Sequence, residues 1–177
     1  MDRRTVLSGG GALIATRVFT FGADARAVPS AATAEDARFM QLAIDEAKQG
    51  DYPFGAVIVR EGKVAARGFN SSKRNADPTA HGEMVAIRTF LNMHEPTDFK
   101  GTTLYTSGEP CVMCMGAIIW CGITRVVYAA SIEQLATRIG QIDITAKQIA
   151  DATSFANIDL TGGVLASEAM VLFPEKL

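Results

Sequence analysis

The chain has 177 residues, 48% hydrophobic, 20% charged and 7% aromatic, with 17 basic and 19 acidic side chains for a formal net charge of −2. That composition excludes a disordered, collagenous or coiled-coil chain, and no uncharged run reaches the roughly 18 residues of a membrane-spanning helix. The near-balance of charge leaves no basic footprint for tracking phosphates, and three cysteines are too few for a disulfide scaffold and point to thiolate chemistry.

The N-terminus begins with Arg3-Arg4 and Leu7, continues through an apolar stretch from Ser8 to Thr16, and ends at Ala25-Arg26-Ala27. This is the layout of an export signal, similar to a twin-arginine signal, although Asp2 and Val6 depart from its usual residues. The alternative is an N-terminal extension of a cytoplasmic protein. On the export reading, residues 1–27 are a leader, 28–37 a tether and 38–177 the functional domain, with a periplasmic location and no membrane span once the leader is removed. The leader carries four basic residues (Arg3, Arg4, Arg17, Arg26) and two acidic ones (Asp2, Asp24), so 13 basic and 17 acidic residues remain, a net charge of −4.

Thr33 and Asp36 make a capping pattern, and Phe39, Leu42, Ala43 and Ala47 recur at helical spacing until Gly50. Ala56 to Val59 is a short apolar strand, Glu61-Gly62 a turn, and Val64 to Phe69 the returning strand of a hairpin. A polar loop from Asn70 to Asp77 leads to Pro78, expected in the first turn of a helix whose apolar face is Met84, Ile87, Phe90 and Leu91. Thr102 to Thr106 is a strand, Ser107 to Pro110 a loop, and Cys111 to Trp120 an apolar helix. Arg125 to Ala129 is a buried strand, Ile132 to Ala152 helical in pattern, and the tail from Ile158 to Phe173 holds a short strand and a small helix. Helices alternating with strands after one hairpin make the class α/β with a mixed sheet.

Two segments carry chemistry. Cys111 and Cys114, at i,i+3 in a first helical turn, project both sulfurs to one face, where unpaired N–H groups favour thiolate. His81 sits at another helix start, where the same positive end disfavours imidazolium and leaves a nitrogen lone pair for a metal. Three N/S ligands from two helix starts fit tetrahedral zinc, one per chain, with a position left for water. Taken alone, Cys111 and Cys114 also fit a structural zinc or a redox pair. A structural site needs a fourth protein ligand, and Cys121 would lie roughly 10 Å further along the axis. Glu83 diverges from His81 by about 200° on a helix and is a poor fourth ligand, which suits it to carry a proton instead. Together these residues form the H-x-E…P-C-x-x-C signature of zinc deaminases.

The segments Asp77 to Glu83 and Leu104 to Cys114 resemble the cytidine-deaminase-like superfamily, in the branch of guanine deaminases and tRNA adenosine deaminases, and the similarity runs from about Phe39 to Phe173. The resemblance implies a three-layer α/β/α sandwich around a mixed five-stranded sheet, usually a homodimer. It implies zinc held by His81, Cys111 and Cys114, with Glu83 as the catalytic acid/base. Phe54 and Ala56 in Phe54-Gly55-Ala56-Val57, and Trp120, sit where guanine deaminases build a base pocket, and Asn70 matches the Asn that bonds a purine edge, its amide offering both donor and acceptor. Asp143 lies where guanine deaminases supply further carboxylates, whereas Gly162 to Glu168 is more similar to the tRNA enzymes. Gly82 stands where the family usually has Ala, at a cost of up to about 1 kcal/mol inside a helix and less in its first turn. The acidic balance and the leader favour a small base or nucleoside over nucleic acid, and guanine converted to xanthine and ammonia is the expected reaction. The alternatives are a tRNA-specific adenosine deaminase and a catalytically silent zinc-stabilised binding module.

Overall fold

In the segment Gly55–Arg60 (β2) every residue but the last is buried, so both faces of this strand must be covered. Its side chains divide by parity. Ala56 and Ile58 pack with Leu104 and Val126 against Phe90, Met115, Ile118 and Ala146, while Val57 and Val59 pack with Tyr105 and Val127 against Phe39, Met40, Ile44 and Ala169. Helices therefore cover both faces of one sheet, the three-layer α/β/α sandwich. The computed structural model describes residues 28–29 and 32–174; the leader expected over residues 1–27 lies outside them.

The sheet follows the order β1-β6-β5-β4-β2-β3. Strand β2 pairs antiparallel with β3 (Lys63–Phe69) and with β4 (Thr103–Gly108), and β4, β5 (Arg125–Ala130) and β6 (Asp159–Thr161) run parallel. These five strands are the expected mixed sheet. A two-residue strand, β1 (Val28–Pro29), pairs parallel with β6 at the edge, and helix α1 (Ala34–Ala47) begins at Thr33, so the stretch expected as a tether carries regular structure at both ends. Gly68 admits α2 (Gly82–Leu91) onto β3, since a Cβ there would lie 2.3 Å from the Ala86 amide nitrogen.

Two helix boundaries differ from the periodicity reading. Helix α2 begins at Gly82, not in the turn of Pro78, because Asp77 Oδ1 accepts hydrogen bonds from the Thr79 amide and hydroxyl and holds a separate turn there. The helix expected over 132–152 is two short ones, α4 (Ile132–Ala136) and α5 (Ala146–Asp151). Each starts from its own capping box, Ser131 with Gln134 and Thr145 with Gln148, and residues 137–145 form a loop between them. Helices α3 (Val112–Cys121) and α6 (Ala166–Met170) complete the layers.

Below one end of the sheet, Arg125 donates to both carboxylate oxygens of Asp36 at 2.8 and 3.0 Å, and Tyr105 donates to Oδ1 at 2.9 Å. Burial pushes the Asp36 carboxyl up, but the hydrogen bonds from Arg125, Thr33 and Tyr105 outweigh it and bring it down to about 2.

Candidate active site

At the other end of the sheet, where β4 and β5 finish and β2 begins, α2 and α3 start in an unusual way. Thr33, Ser131 and Thr145 cap their helices through side-chain oxygens, whereas the N-cap residues of α2 and α3 are His81 and Cys111, and neither makes a side-chain capping bond. Both side chains turn toward each other instead. His81 Nδ1 lies 3.7 Å from Cys111 Sγ and 3.6 Å from Cys114 Sγ, and the three ligand atoms fall within 4.8 Å of one another. A tetrahedral zinc with bonds of about 2.0–2.3 Å separates its N and S ligands by about 3.5 Å. The donor set and spacing fit one zinc.

The electrostatics point the same way. A hydrogen bond from Cys114 holds the Cys111 thiol at about 4, against burial, with help from His81. The Cys114 thiol is pushed up by that same bond to Cys111, by burial and by Glu83. The first sulfur thus ionises easily, and the second resists adding another negative charge beside it. Glu83, in the first turn of α2, is 4% exposed. Burial and the Cys111 charge push its carboxyl up.

These groups form the floor of a cavity of about 710 Å³. Tyr52 and Phe54 line it ahead of β2, Asn70 lines it at the end of β3, and Ile139 to Ile142 from the α4–α5 loop make the opposite wall. Asn70 Oδ1 accepts from the Ser72 amide at 3.1 Å and hydroxyl at 2.8 Å, so its acceptor capacity is spent and its NH₂ is left to donate. The carboxamide therefore presents a donor to the cavity, not the donor and acceptor expected from its type. Phe54 is braced by an edge contact with Phe173, their ring centres 5.2 Å apart.

Of the expected site residues, His81, Glu83, Cys111, Phe54 and Asn70 line the cavity, and Cys114 lies buried beneath it. Two do not belong. Ala56 is fully buried in the layer facing α2 and α3, because the parity of β2 turns it there. Trp120 is 79% exposed and packs on Phe155, 4.9 Å between ring centres. It lies about 13 Å along the helix axis from Cys111 and on the outward face. Asp143 is exposed and outside the lining, and Cys121 packs at the edge of the core away from the ligand group.

Gly82 has a steric role that propensity does not reveal. A Cβ there would lie 2.9 Å from the Phe54 carbonyl oxygen and 3.1 Å from Gly55 Cα. The glycine lets the start of α2 press against the strand that carries Phe54. Sequence reasoning missed Tyr52, Glu109 and the 139–142 wall; the wall was signalled by the paired Ser131/Gln134 and Thr145/Gln148 spacings and by Gly140.

The profile of the cytidine and deoxycytidylate deaminase zinc-binding region matches residues 33–130. A tRNA-specific adenosine deaminase of Buchnera aphidicola is 42% identical over 104 residues, 56% of this chain and 64% of that one. A guanine deaminase of Bacillus subtilis is 47% identical over 78 residues, 44% of this chain and 50% of that one. The chain thus spans between half and two-thirds of the length of these relatives. A solved structure from work on A-to-I editing by tRNA:A34 deaminases at the wobble position superimposes with a TM-score of 0.64 at 31% identity, covering 77% of this chain and 99% of the other. With the ligand group, the sandwich and these matches in agreement, the chain belongs to the cytidine and deoxycytidylate deaminase family.

Proposed function

We propose that this chain hydrolyses the exocyclic amino group of a free purine base, with guanine, giving xanthine and ammonia, as first candidate. The observation that carries the reading is the juxtaposition, in one cavity, of the His81/Cys111/Cys114 group, the buried Glu83 carboxyl, the Asn70 donor and the Phe54 ring. A flat aminated heterocycle is what such walls accept: an apolar ring for its face and a single donor for a ring nitrogen or carbonyl on its edge.

Bound zinc lowers the pKa of water to about 7 and makes hydroxide available at neutral pH. Glu83 would take one proton of the attacking water and place it on a ring nitrogen as oxygen adds to the amino-bearing carbon, then take the second proton from the added hydroxyl and place it on the departing amino group. One C–O bond forms, one C–N bond breaks, and ammonia leaves. Asn70 fixes the ring by donating to its edge, while Phe54 and the 139–142 wall keep bulk water from the face of the base.

The acid excess, 13 basic against 17 acidic residues beyond position 27, favours a small base over a polyanion. Adenosine in tRNA is the second reading, supported by the tRNA-specific relative and by Lys73, which lines the cavity with its ammonium 4.4 Å from the Tyr52 ring centre, where a nucleotide phosphate would meet it. Ammonia release from guanine, adenine and their nucleosides, alongside inosine formation in a tRNA anticodon stem-loop, separates the two. Silence toward every base with zinc confirmed removes the first reading; silence toward tRNA as well leaves a binding module. The reading includes a homodimer, supported by the partly exposed side of α3, where the half-buried Val112 and Met113 and the exposed Trp120 carry no charge, and it is tested by light scattering in solution. Export of residues 1–27 is tested by finding the processed chain in a periplasmic fraction.

A further inference from the structure

Glu109 lies between the end of β4 and the Pro110-Cys111 turn, 6% exposed, and it lines the cavity. Its carboxylate does not point at the metal ligands. Oε2 accepts the Ile132 amide at 2.9 Å and Oε1 accepts the Ala146 amide at 2.7 Å, so one side chain holds the first residues of both α4 and α5. Its own amide donates to Ala130 O at 2.7 Å, which ties the same residue to the end of β5. Ile132 and Ala146 are buried, so these two N–H groups have no access to solvent in place of Glu109.

The two helices do not depend on Glu109 for their ordinary caps. Ser131 Oγ accepts from the Gln134 amide at 3.1 Å and Thr145 Oγ1 from the Gln148 amide at 3.2 Å. The bonds from Glu109 are additional and come from another part of the chain. Between the two anchored amides runs the loop 137–145, whose residues Ile139 to Ile142 are the cavity wall, and its apolar side chains Ile142 and Ile144 are 59% and 42% exposed. Ile139 packs against the core, and the two helices that flank the loop both start on the same carboxylate.

We propose that Glu109 is a positioning residue that sets the substrate wall 137–145 at a fixed distance from the metal-ligand turn by bonding the first amides of α4 and α5. It acts on substrate affinity through the wall, while Cys111, two residues away, is held by the ligand group itself. The affinity consequence rests on the deaminase reading; the mechanical one does not.

The test uses zinc-loaded full-length protein. In Glu109→Gln the carboxamide keeps one acceptor oxygen and turns an NH₂ toward the other amide, releasing one helix start. Hydrogen exchange by mass spectrometry is expected to quicken at least tenfold over 132–146 while α2 and α3 exchange as before, with one zinc per chain retained. With guanine as substrate, KM is expected to rise at least tenfold and kcat to change less than threefold. Exchange that is unchanged over 132–146, or faster throughout the chain, overturns the proposal, as does a fall in kcat at constant KM. Should Glu109→Gln fail to fold, Glu109→Asp gives a second route: the shorter side chain keeps its charge but cannot reach both the Ile132 and Ala146 amides, so exchange over 132–146 is expected to quicken with zinc retained, and unchanged exchange there overturns the proposal. Silence toward guanine in the native protein counts against the function proposed above, whereas the exchange measurement needs no substrate and decides the role of Glu109.

Discussion

Replacing Gly82 with Ala should destabilise the protein and weaken substrate binding, although helix propensity alone predicts a gain. Alanine is favoured over glycine by about 1 kcal/mol in a helix interior, and by less at the first helical position that Gly82 occupies. Against this, the new methyl group would sit 2.9 Å from the Phe54 carbonyl oxygen and 3.1 Å from Gly55 Cα and Phe54 C. Comfortable carbon contacts begin at about 3.5 Å, so the two backbones must part by roughly 0.4–0.6 Å. All three atoms are backbone and cannot rotate away, and overpacking of this kind costs about 1–3 kcal/mol. The net expectation is a loss of about 1–2 kcal/mol, or a fall in Tm of roughly 3–6 °C for a chain of this size. The movement also reaches the cavity, because the Phe54 carbonyl accepts the Asn70 amide at 2.8 Å and both residues line it. KM should rise about three- to tenfold, the effect of a contact worth roughly 1 kcal/mol. Thermal denaturation of the zinc-loaded proteins and ammonia release measure the two effects. A Gly82→Ala variant at least as stable as the native chain, with unchanged KM, would show that the glycine has no packing role and refute the reasoning.

Three further outcomes follow from the geometry. Glu83→Gln keeps the shape of the side chain and removes its proton chemistry, so kcat should fall by at least about a hundredfold with one zinc retained, as read by ammonia release and metal analysis. Stripping the metal with a chelator should abolish turnover and open Cys111, which lines the cavity, to a thiol reagent, and restoring zinc should reverse both; a Cys111 thiol equally reactive with and without zinc would count against its being a ligand. Asp36 lies at about 2 in the folded chain against an ordinary 3.8, which is worth roughly 2.5 kcal/mol. Because the folded value is depressed, that stability is fully present above about pH 4 and lost as pH falls through about 2. Asp36→Asn should therefore cost at least that much at neutral pH, and the gap to the native protein should narrow by roughly 2.5 kcal/mol between about pH 4 and pH 2 in denaturation series; a gap independent of pH would exclude the carboxylate as its source.

The ligand group could be read from the chain because metal ligation imposes short-range spacing. Cys111 and Cys114 are one helical turn apart, and His81 and Glu83 occupy the first positions of another helix, so local geometry decides where they point. The cavity walls obey no such constraint. Across 132–150 the apolar residues Ile132, Leu135, Ile139, Ile142, Ala146 and Ile149 keep a helical period straight through the loop, and that continuity concealed two capping boxes and Gly140. Trp120 is expected in the pocket only from the resemblance to guanine deaminases, and because α3 is apolar on every side, periodicity cannot check which of its faces is inward. Ala56 likewise comes from the resemblance: β2 is buried on both faces, and its sequence carries no alternation to say which face Ala56 takes.

The charges around the ligand group also show what a cation would do for this site. Here Cys114 is fully buried, and His81 stands 3.6–3.7 Å from both sulfurs, the spacing of ligands about one metal. Glu83 is buried in the same cavity, so a thiolate at Cys111 and a carboxylate at Glu83 repel each other in a region that water screens poorly, and the Glu83 carboxyl is pushed up in consequence. Two helix N-termini supply only partial positive charge against this, and without a metal the hydrogen bond with Cys111, opposed by burial and helped by the Glu83 charge, pushes His81 up toward imidazolium, contrary to the expectation from its helix start. A dication among the three ligand atoms would neutralise both sulfurs and restore the freedom of Glu83 to carry a proton. The same substitution that makes His81 and Cys111 poor helix caps thus concentrates negative charge where a metal relieves it, and Thr33, Ser131, Thr145 and Glu109 secure helix starts that carry no ligand.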